Sequence, residues 1–574
     1  MDELQIKRHS LAHVLAKAVK NIYGKENVKL TIGPAIDNGL YYDFDISKQI
    51  TEADLATIQK EMTNIIKKGE KFERAVISRQ DALEMYKGNE YKTELITELP
   101  EDAEISTYTL GADFVDLCAG PHVEHAGKLQ NMGFKVAKVN GAYWRGDEKN
   151  KMLQRVYVYA FNTKEELNNY LKFLEEAQKR DHRKLGKELG LFMISDYAKG
   201  MPFYLPNGLT VKNELIKFWK EKHQKAGYIE IETPMAMNRT LWETSGHWEH
   251  YQENMYTFDV EGEQFAIKPM NCPGGMLFYK EGIHSYKEFP LRVAELGKVH
   301  RHEASGTLHG LFRVRVFTQD DAHIFMLPSQ IESEVKNVLD LVDELYAVFG
   351  FNYSFELSTM PESHIGEVET WRTAETALEN ALKSAGKDYK INAGDGAFYG
   401  PKIDIKIQDA IGRSWQCGTI QLDMQLPGRF NLEYVDENGQ RQEPVMIHRA
   451  LYGSLERMIG VLTEHFAGAF PVWLAPTQVR VLSLTERHEG YAKEICGALR
   501  ENGIRAELDI RNEKVGYKIR EGLMQKVPYL IILGDEEMAN KTISLRGRNN
   551  LNQTNVAFSD FLAELKEKIA KRTI

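Results

Sequence analysis

Cysteine is scarce in this sequence. The four present in 574 residues, Cys118, Cys272, Cys417 and Cys496, lie far apart. That spacing excludes the disulfide framework of a small secreted scaffold and leaves free thiols or metal ligands. Long apolar runs are missing too: no stretch reaches the roughly 20 residues that a membrane-spanning helix needs. The opening MDELQIKRHS lacks the basic-then-apolar pattern of a secretory leader. The expectation is a soluble, cytoplasmic protein with no membrane contact. There is no internal repeat, no low-complexity tract and no glycine-rich loop of the P-loop or Rossmann kind, so a bound nucleotide would have to be held by arginines on a sheet. Basic charge is not in excess either; at a net charge of −10, any nucleic-acid surface has to be local. What is present is ordinary globular composition, 43% hydrophobic and 27% charged, in a chain too long for one core.

Three regions emerge from the periodicity. Leu11, Val14, Leu15, Ala18, Val19 and Ile22 recur at helical spacing and stop at Gly24. His9 and His13 fall largely off that stripe, which makes a cleft-facing pair as reasonable as a packed one. Short β-like runs such as YYDFDI and GAYWRG complete an α+β domain, and residues 164–190 read as one charged linker helix with a threonine cap. The middle region opens with a helix and IEIETP, closed by Pro234. Alternating runs from QFAIKPM to RSWQCGTIQLDMQL then predict a large antiparallel sheet flanked by helices. Beyond FPVWLAP, strand–helix alternation predicts a compact α/β domain with basic residues clustered from Arg511 to Arg548. The predicted boundaries are 1–178, 179–470 and 471–574.

Two kinds of chemistry stand out. RHSLAH sets His9 and His13 four apart, CAGPH sets Cys118 and His122 at the same interval, and such pairs are a common zinc-ligand spacing. In VHRHEASGTLHGLFRVRVFTQDDAHIF, Arg301 and Glu303 share the face of one strand, with Arg313, Arg315 and Phe317 on the next. A planar, always-charged donor beside a carboxylate suits a phosphate next to an adenine amino group, and Arg457 in GSLERMIG is placed to reach a terminal phosphate.

These runs resemble the three motifs of the class II aminoacyl-tRNA synthetases: the segment ending at Pro234, the RHE…R…F hairpin and GSLER. KPMNCPG, RVFTQDDAHIF, GAFYGPKID and PVMIHRA narrow the resemblance to the threonyl-tRNA synthetase family, over essentially the whole chain. Gly275 stands where that family often has histidine, and Val316 where it often has glycine. The small ubiquitin-like domain that many members carry ahead of the editing domain has no counterpart here, which leaves the editing reading intact.

The resemblance implies an N-terminal editing domain with linker helix, a class II catalytic domain and an anticodon-binding domain. The implied reaction joins ATP, accompanied by Mg2+, to L-threonine and passes the threonyl group to tRNA(Thr). Arg301 would act on the α-phosphate and Arg313 and Arg457 on the outer phosphates, with Phe317 stacked on adenine and Glu303 accepting from its amino group. His247 would assist at the terminal ribose. Cys272, His323 and His448 would hold one Zn2+ per subunit with an open position, beside threonine-binding Asp321, Tyr399 and Gln416. The metal rejects valine, which has no hydroxyl, but not serine. His9, His13, Lys92, Cys118 and His122 would therefore clear serine from tRNA by hydrolysis. In the related alanyl enzymes the two pairs bind zinc; in the threonyl family they work without metal, and the metal-free reading is adopted. Asn512, Glu537 and Arg546 would read the anticodon, and the Pro234 motif would pack in a homodimer. A catalytically silent RNA-binding relative would be expected to lack the phosphate-binding arginines, which are all here.

Overall fold

The computed structural model describes residues 2–574. It falls into two compact units, Met1–Glu175 and Glu176–Ile574. In the first, Asp2 caps the helix Glu3–Tyr23 by accepting from Gln5 N–H at 2.7 Å. This helix packs against the helix Leu55–Lys68 and the strand Gly39–Ile46, and Ser10–Val19 are buried without a break. The expected one-sided stripe is thus a fully embedded helix. Ala12, Ala16 and Ala18 let neighbours approach on several sides, and His13 is packed at 2% exposure instead of facing an open cleft. A sheet ordered Val28–Leu30, Gly39–Ile46, Met152–Phe161, Gly133–Tyr143 supports it, beside a smaller sheet of Phe72–Ile77, Ile105–Leu110 and Val115–Leu117.

The predicted linker helix is two helices, Lys164–Arg180 and His182–Glu188. Asp181 leaves helical geometry between them and caps the second by accepting from Arg183 N–H at 2.8 Å.

The second unit is built on an eight-stranded sheet. Its order is Ile229–Glu230, Leu291–His300, Val316–Met326, Val445–Ser454, Ser414–Asp423, Lys402–Gln408, Asn352–Ser358, Tyr389–Asn392. It is mainly antiparallel; the first and last strands pair parallel to their neighbours. The QFAIKPM run, expected in this sheet, belongs instead to a separate three-stranded sheet, because Glu263–Ile267 pairs with Ala236–Asn238 and Tyr256–Val260. The helices Pro206–Lys225, Ile331–Ala347 and Leu455–His465 contribute Leu215, Val342, Leu345 and Leu462 to the core under one sheet face. The other face carries the functional cleft. The C-terminal part forms a five-stranded sheet ordered Ala506–Asp509, Val479–Ser483, Tyr529–Leu533, Thr542–Gly547, Asn552–Ala557, parallel in its first three strands. Among the described residues, no helix is long and apolar enough to cross a membrane.

Candidate functional site

Cys272, His323 and His448 come together because of strand order. Val316–Met326 pairs with Val445–Ser454, and the register sets His323 directly opposite His448. The helix Cys272–Lys280 lies over the same face and brings its first residue to the pair. All three are buried, and a set of ligand atoms, one from each, lies within 4.8 Å of one another. His323 Nε2 is buried with no hydrogen-bond partner, which is costly unless something takes the lone pair. His448 Nε2 sits 2.7 Å from Asp423 Oδ2, leaving Nδ1 for a ligand role. Burial pushes the Cys272 thiol well up, with Asp321 and Asp423 adding to it, so a bound cation would displace its proton. A Cys-His-His donor set with an orphaned imidazole nitrogen fits zinc. Gly275 lies close by: a Cβ there would stand 3.1 Å from His323 Nδ1, so the residue that departs from the family pattern packs against a ligand.

Asp321, two residues before His323 on the same face, accepts from Asn271 Nδ2 at 3.2 Å, and burial raises its carboxyl to about 6. Tyr399 is buried with its ring 4.9 Å from that of His448, and its hydroxyl donates to Gln421 Oε1 at 2.6 Å. Gln416 does not join them. It stands five residues, roughly 17 Å, before Gln421 on the strand, where its exposed side-chain amide donates to Asp404 at 2.7 Å and its backbone carbonyl accepts from Arg457 at 3.0 Å. Gln421, opposite His448 in the register, is the glutamine of this site. Gln421 and Asp423 were missed; both lie in the run RSWQCGTIQLDMQL that marked the strand.

From the metal-ligand cluster a cleft of about 940 Å³ runs past Arg301, Glu303, Phe317, Arg313 and Arg457. That volume accommodates a nucleotide together with an amino acid. The strands end at His300 and begin again at Val316. Arg301 N–H still donates to Arg315 O at 2.9 Å at the end of the ladder, and Glu303 and Arg313 lie beyond it, His302 N–H having turned away to Asn254 O at 2.8 Å. The Arg301 guanidinium stands 5.0 Å from the centroid of Phe317 and donates to Pro269 O at 3.1 Å. Glu303 pairs with Arg313 at 3.0 Å. Arg457 is held by Phe312 O, at 3.3 Å from Nε and 3.1 Å from Nη2.

His247 is not on the cleft surface. It is fully buried behind Met270 and Phe398, which line the cleft; its Nδ1 pairs with Ser245 Oγ at 2.8 Å and burial lowers it to about 3. It can accept a proton only after those side chains part.

In the N-terminal unit, Cys118 Sγ lies 3.3 Å from both His9 Nε2 and His122 Nε2 and accepts from Gly120 N–H at 3.3 Å. Ser10 Oγ stitches the loop to the helix, pairing with His122 Nδ1 at 3.1 Å and accepting from Val123 N–H at 3.0 Å. The His13 ring is 4.3 Å from that of His122. Lys92 reaches Asp116, two residues before Cys118, at 2.7 Å, with both side chains buried. Burial drives the Cys118 thiol up to about 11 and His122 down to about 2, and it also lowers His9 and His13. Their ligand atoms also lie within 4.8 Å of one another; Cys118 is hydrogen-bonded to His9 and His122, while His9 Nδ1 and His13 Nδ1 are buried without a partner, as His323 Nε2 is.

In the C-terminal domain, Asn512 is exposed beyond the strand Ala506–Asp509, and two strands separate it from the strand that carries Arg546. Glu537 accepts from Gly534 N–H at 2.9 Å and Ser544 Oγ at 2.6 Å, while Arg546 donates to Asn552.

Three family models match the chain. They are the tRNA synthetase class II core domain (G, H, P, S and T) over 256–466, the anticodon binding domain over 478–568, and the threonyl and alanyl tRNA synthetase second additional domain over 105–157. The threonine–tRNA ligase of Clostridium tetani is 56% identical over 569 residues, covering 99% of this chain and 88% of the relative. That of Acetivibrio thermocellus is 55% identical, covering 98% and 88%. Among solved structures, the RNA binding domain of threonyl-tRNA synthetase from Cryptosporidium parvum superposes with a TM-score of 0.66 at 43% identity, covering 67% of this chain and 98% of that one.

Proposed function

The chain belongs to the threonyl-tRNA synthetase family of class II enzymes, and from that premise we propose how its own residues divide the work of a threonine–tRNA ligase. The observation that carries the reading is the continuity of the cleft: Cys272 and His448, two members of the three-ligand cluster, line the same cavity as Arg301, Arg313 and Arg457. In this account a threonine carboxylate oxygen attacks the α-phosphorus of ATP, the α–β phosphoanhydride bond breaks, and pyrophosphate leaves. Arg301 meets the charge that grows on the α-phosphoryl oxygens, and Arg313 and Arg457 hold the outer phosphates that magnesium accompanies. Phe317 supplies a stacking face for adenine beside Glu303. Cys272, His323 and His448 would hold zinc, which would supply Lewis acidity toward the threonine amino and hydroxyl groups. Asp321, Tyr399 and Gln421 orient the substrate around it. A ribose hydroxyl of the terminal adenosine then attacks the threonyl carbonyl and AMP departs; His247 is the base nearest that step once Met270 and Phe398 give way.

Residues 1–178 are assigned to editing, 179–470 to synthesis and 471–574 to the anticodon. The hydrogen bonds that join Cys118 to His9 and His122, with His13 packed against His122, support hydrolysis of seryl-tRNA(Thr) without a second metal, with Lys92 near the ester. The test is charging of tRNA(Thr) with threonine together with clearance of preformed seryl-tRNA(Thr). Failure to charge would refute the ligase reading, and charging with serine left intact would refute the editing one.

Ile229 and Met235, flanking Pro234, remain 44% and 41% exposed, as expected of a surface that a second copy covers. A homodimer is therefore expected, and sedimentation of a fully active monomer would contradict it. Arg546→Ala should weaken tRNA charging while leaving pyrophosphate exchange intact, because anticodon bases are read by hydrogen bonds and stacking far from the chemistry. Equal loss of both activities would refute that role.

A further inference from the structure

Asp181, His182 and Glu464 form a third group of potential ligands, outside both clefts. Each is already committed. His182 is fully buried, and its Nε2 accepts from Leu311 N–H at 2.9 Å, so the ring proton sits on Nδ1 and donates to Glu464 Oε1 at 2.6 Å. The same carboxylate oxygen accepts from His182 N–H at 2.9 Å, and Asp181 is taken by Arg183. The group is a brace, not an ion site.

What it braces is specific. His182 opens the helix ahead of the catalytic sheet, Leu311 belongs to the loop between the two cleft strands, and Glu464 lies near the end of the helix that carries Arg457. Phe312, next to Leu311, packs its ring 4.1 Å from that of His182 and 4.2 Å from that of Trp415, and its carbonyl is the acceptor that holds Arg457. Gly310 makes the approach feasible: its φ is +51°, and a Cβ there would come within 2.1 Å of His182 Nε2. Arg180 ties the preceding helix to the same end, donating to Glu464 O at 3.3 Å and His465 O at 2.8 Å.

We propose that His182 is a positioning residue for ATP: it fixes the 309–312 loop so that the Phe312 carbonyl aims the Arg457 guanidinium at the outer phosphates. This rests on the assignment of the cleft to ATP. The imidazole does not touch the nucleotide; it sets where the loop backbone stops, and the loop sets where Arg457 points.

The test is threonine-dependent pyrophosphate exchange by the full chain, with ATP and threonine titrated separately. His182→Phe keeps the ring packing against Phe312 and Phe192 and removes both side-chain hydrogen bonds. The ATP KM should rise about tenfold, the scale of one buried donor left unsatisfied. The threonine KM should stay within about twofold and zinc content should not change, since neither depends on the loop. His182→Gln, which returns an acceptor to Leu311 N–H, should recover to within about threefold of the parent ATP KM. Gly310→Ala, which pushes the loop off His182 from the other side, should raise the ATP KM as His182→Phe does. An unaltered ATP KM in His182→Phe, or equal losses for both substrates alongside a lowered melting temperature, would overturn the proposal. A parent chain that exchanges nothing would instead overturn the ATP reading, and this inference with it.

Discussion

Cys272→Ala is expected to leave the purified protein with almost no zinc and to cut threonine activation by on the order of 10⁴, the scale on which a site built around a substrate hydroxyl depends on that contact. The parent chain should hold one zinc. The loss follows from geometry: His323 and His448 are fixed by their strand register, and two imidazoles without the thiolate leave too few donors for a closed-shell cation. Cys118→Ala is the matched control. Its thiol is hydrogen-bonded to His9 and His122 and accepts from Gly120 N–H, so that variant should keep the single zinc and full activation while losing clearance of seryl-tRNA. Two zincs per chain, with one lost on removing Cys118 or His122, would show that the N-terminal cluster binds metal and that the metal-free editing account is wrong.

Arg301→Ala should lower the rate constant of pyrophosphate exchange by about 10²–10³, the usual cost of deleting one preorganised donor to transition-state charge. Its guanidinium is already poised over Phe317 and anchored on Pro269 O, so little reorganisation is needed when ATP arrives. Arg301→Lys should not restore the rate, because an ammonium lacks the planar fork that spans two phosphoryl oxygens. Zinc content should be that of the parent. If Arg301→Ala raised only the ATP KM and left the rate constant untouched, Arg301 would be a ground-state binder, and the assignment of the α-phosphoryl charge to it would fall.

Much of this was legible in the chain, and the illegible parts have physical causes. Arg301, Glu303, Arg313 and Phe317 were readable together because one hairpin brings them into one cleft. The helix and loop pairs of the N-terminal domain were readable for the same reason, each being local. Cys272, His323 and His448 were not readable from spacing, since their meeting depends on Val445–Ser454 inserting beside Val316–Met326, a fact of strand order that only the family resemblance supplied. Gln421 rather than Gln416 lies beside the metal-ligand cluster, and the strand's alternation does not reveal it, because the register shifts opposite Ile405 and Lys406. The break at Asp181 was hidden inside a run of charged residues that scans as continuous helix. With it went His182, whose acceptor duty to Leu311 spans too much sequence for any local pattern to reveal.

The central claim is that this one cleft activates threonine with ATP, and amino-acid-dependent exchange of labelled pyrophosphate into ATP measures that step alone, without tRNA. Exchange should be brisk with threonine, weaker but clear with serine, which shares both coordinating groups and loses only about 1–3 kcal/mol with the methyl, and near background with valine. Exchange in the absence of any amino acid, or valine supporting it as well as threonine, would contradict the account.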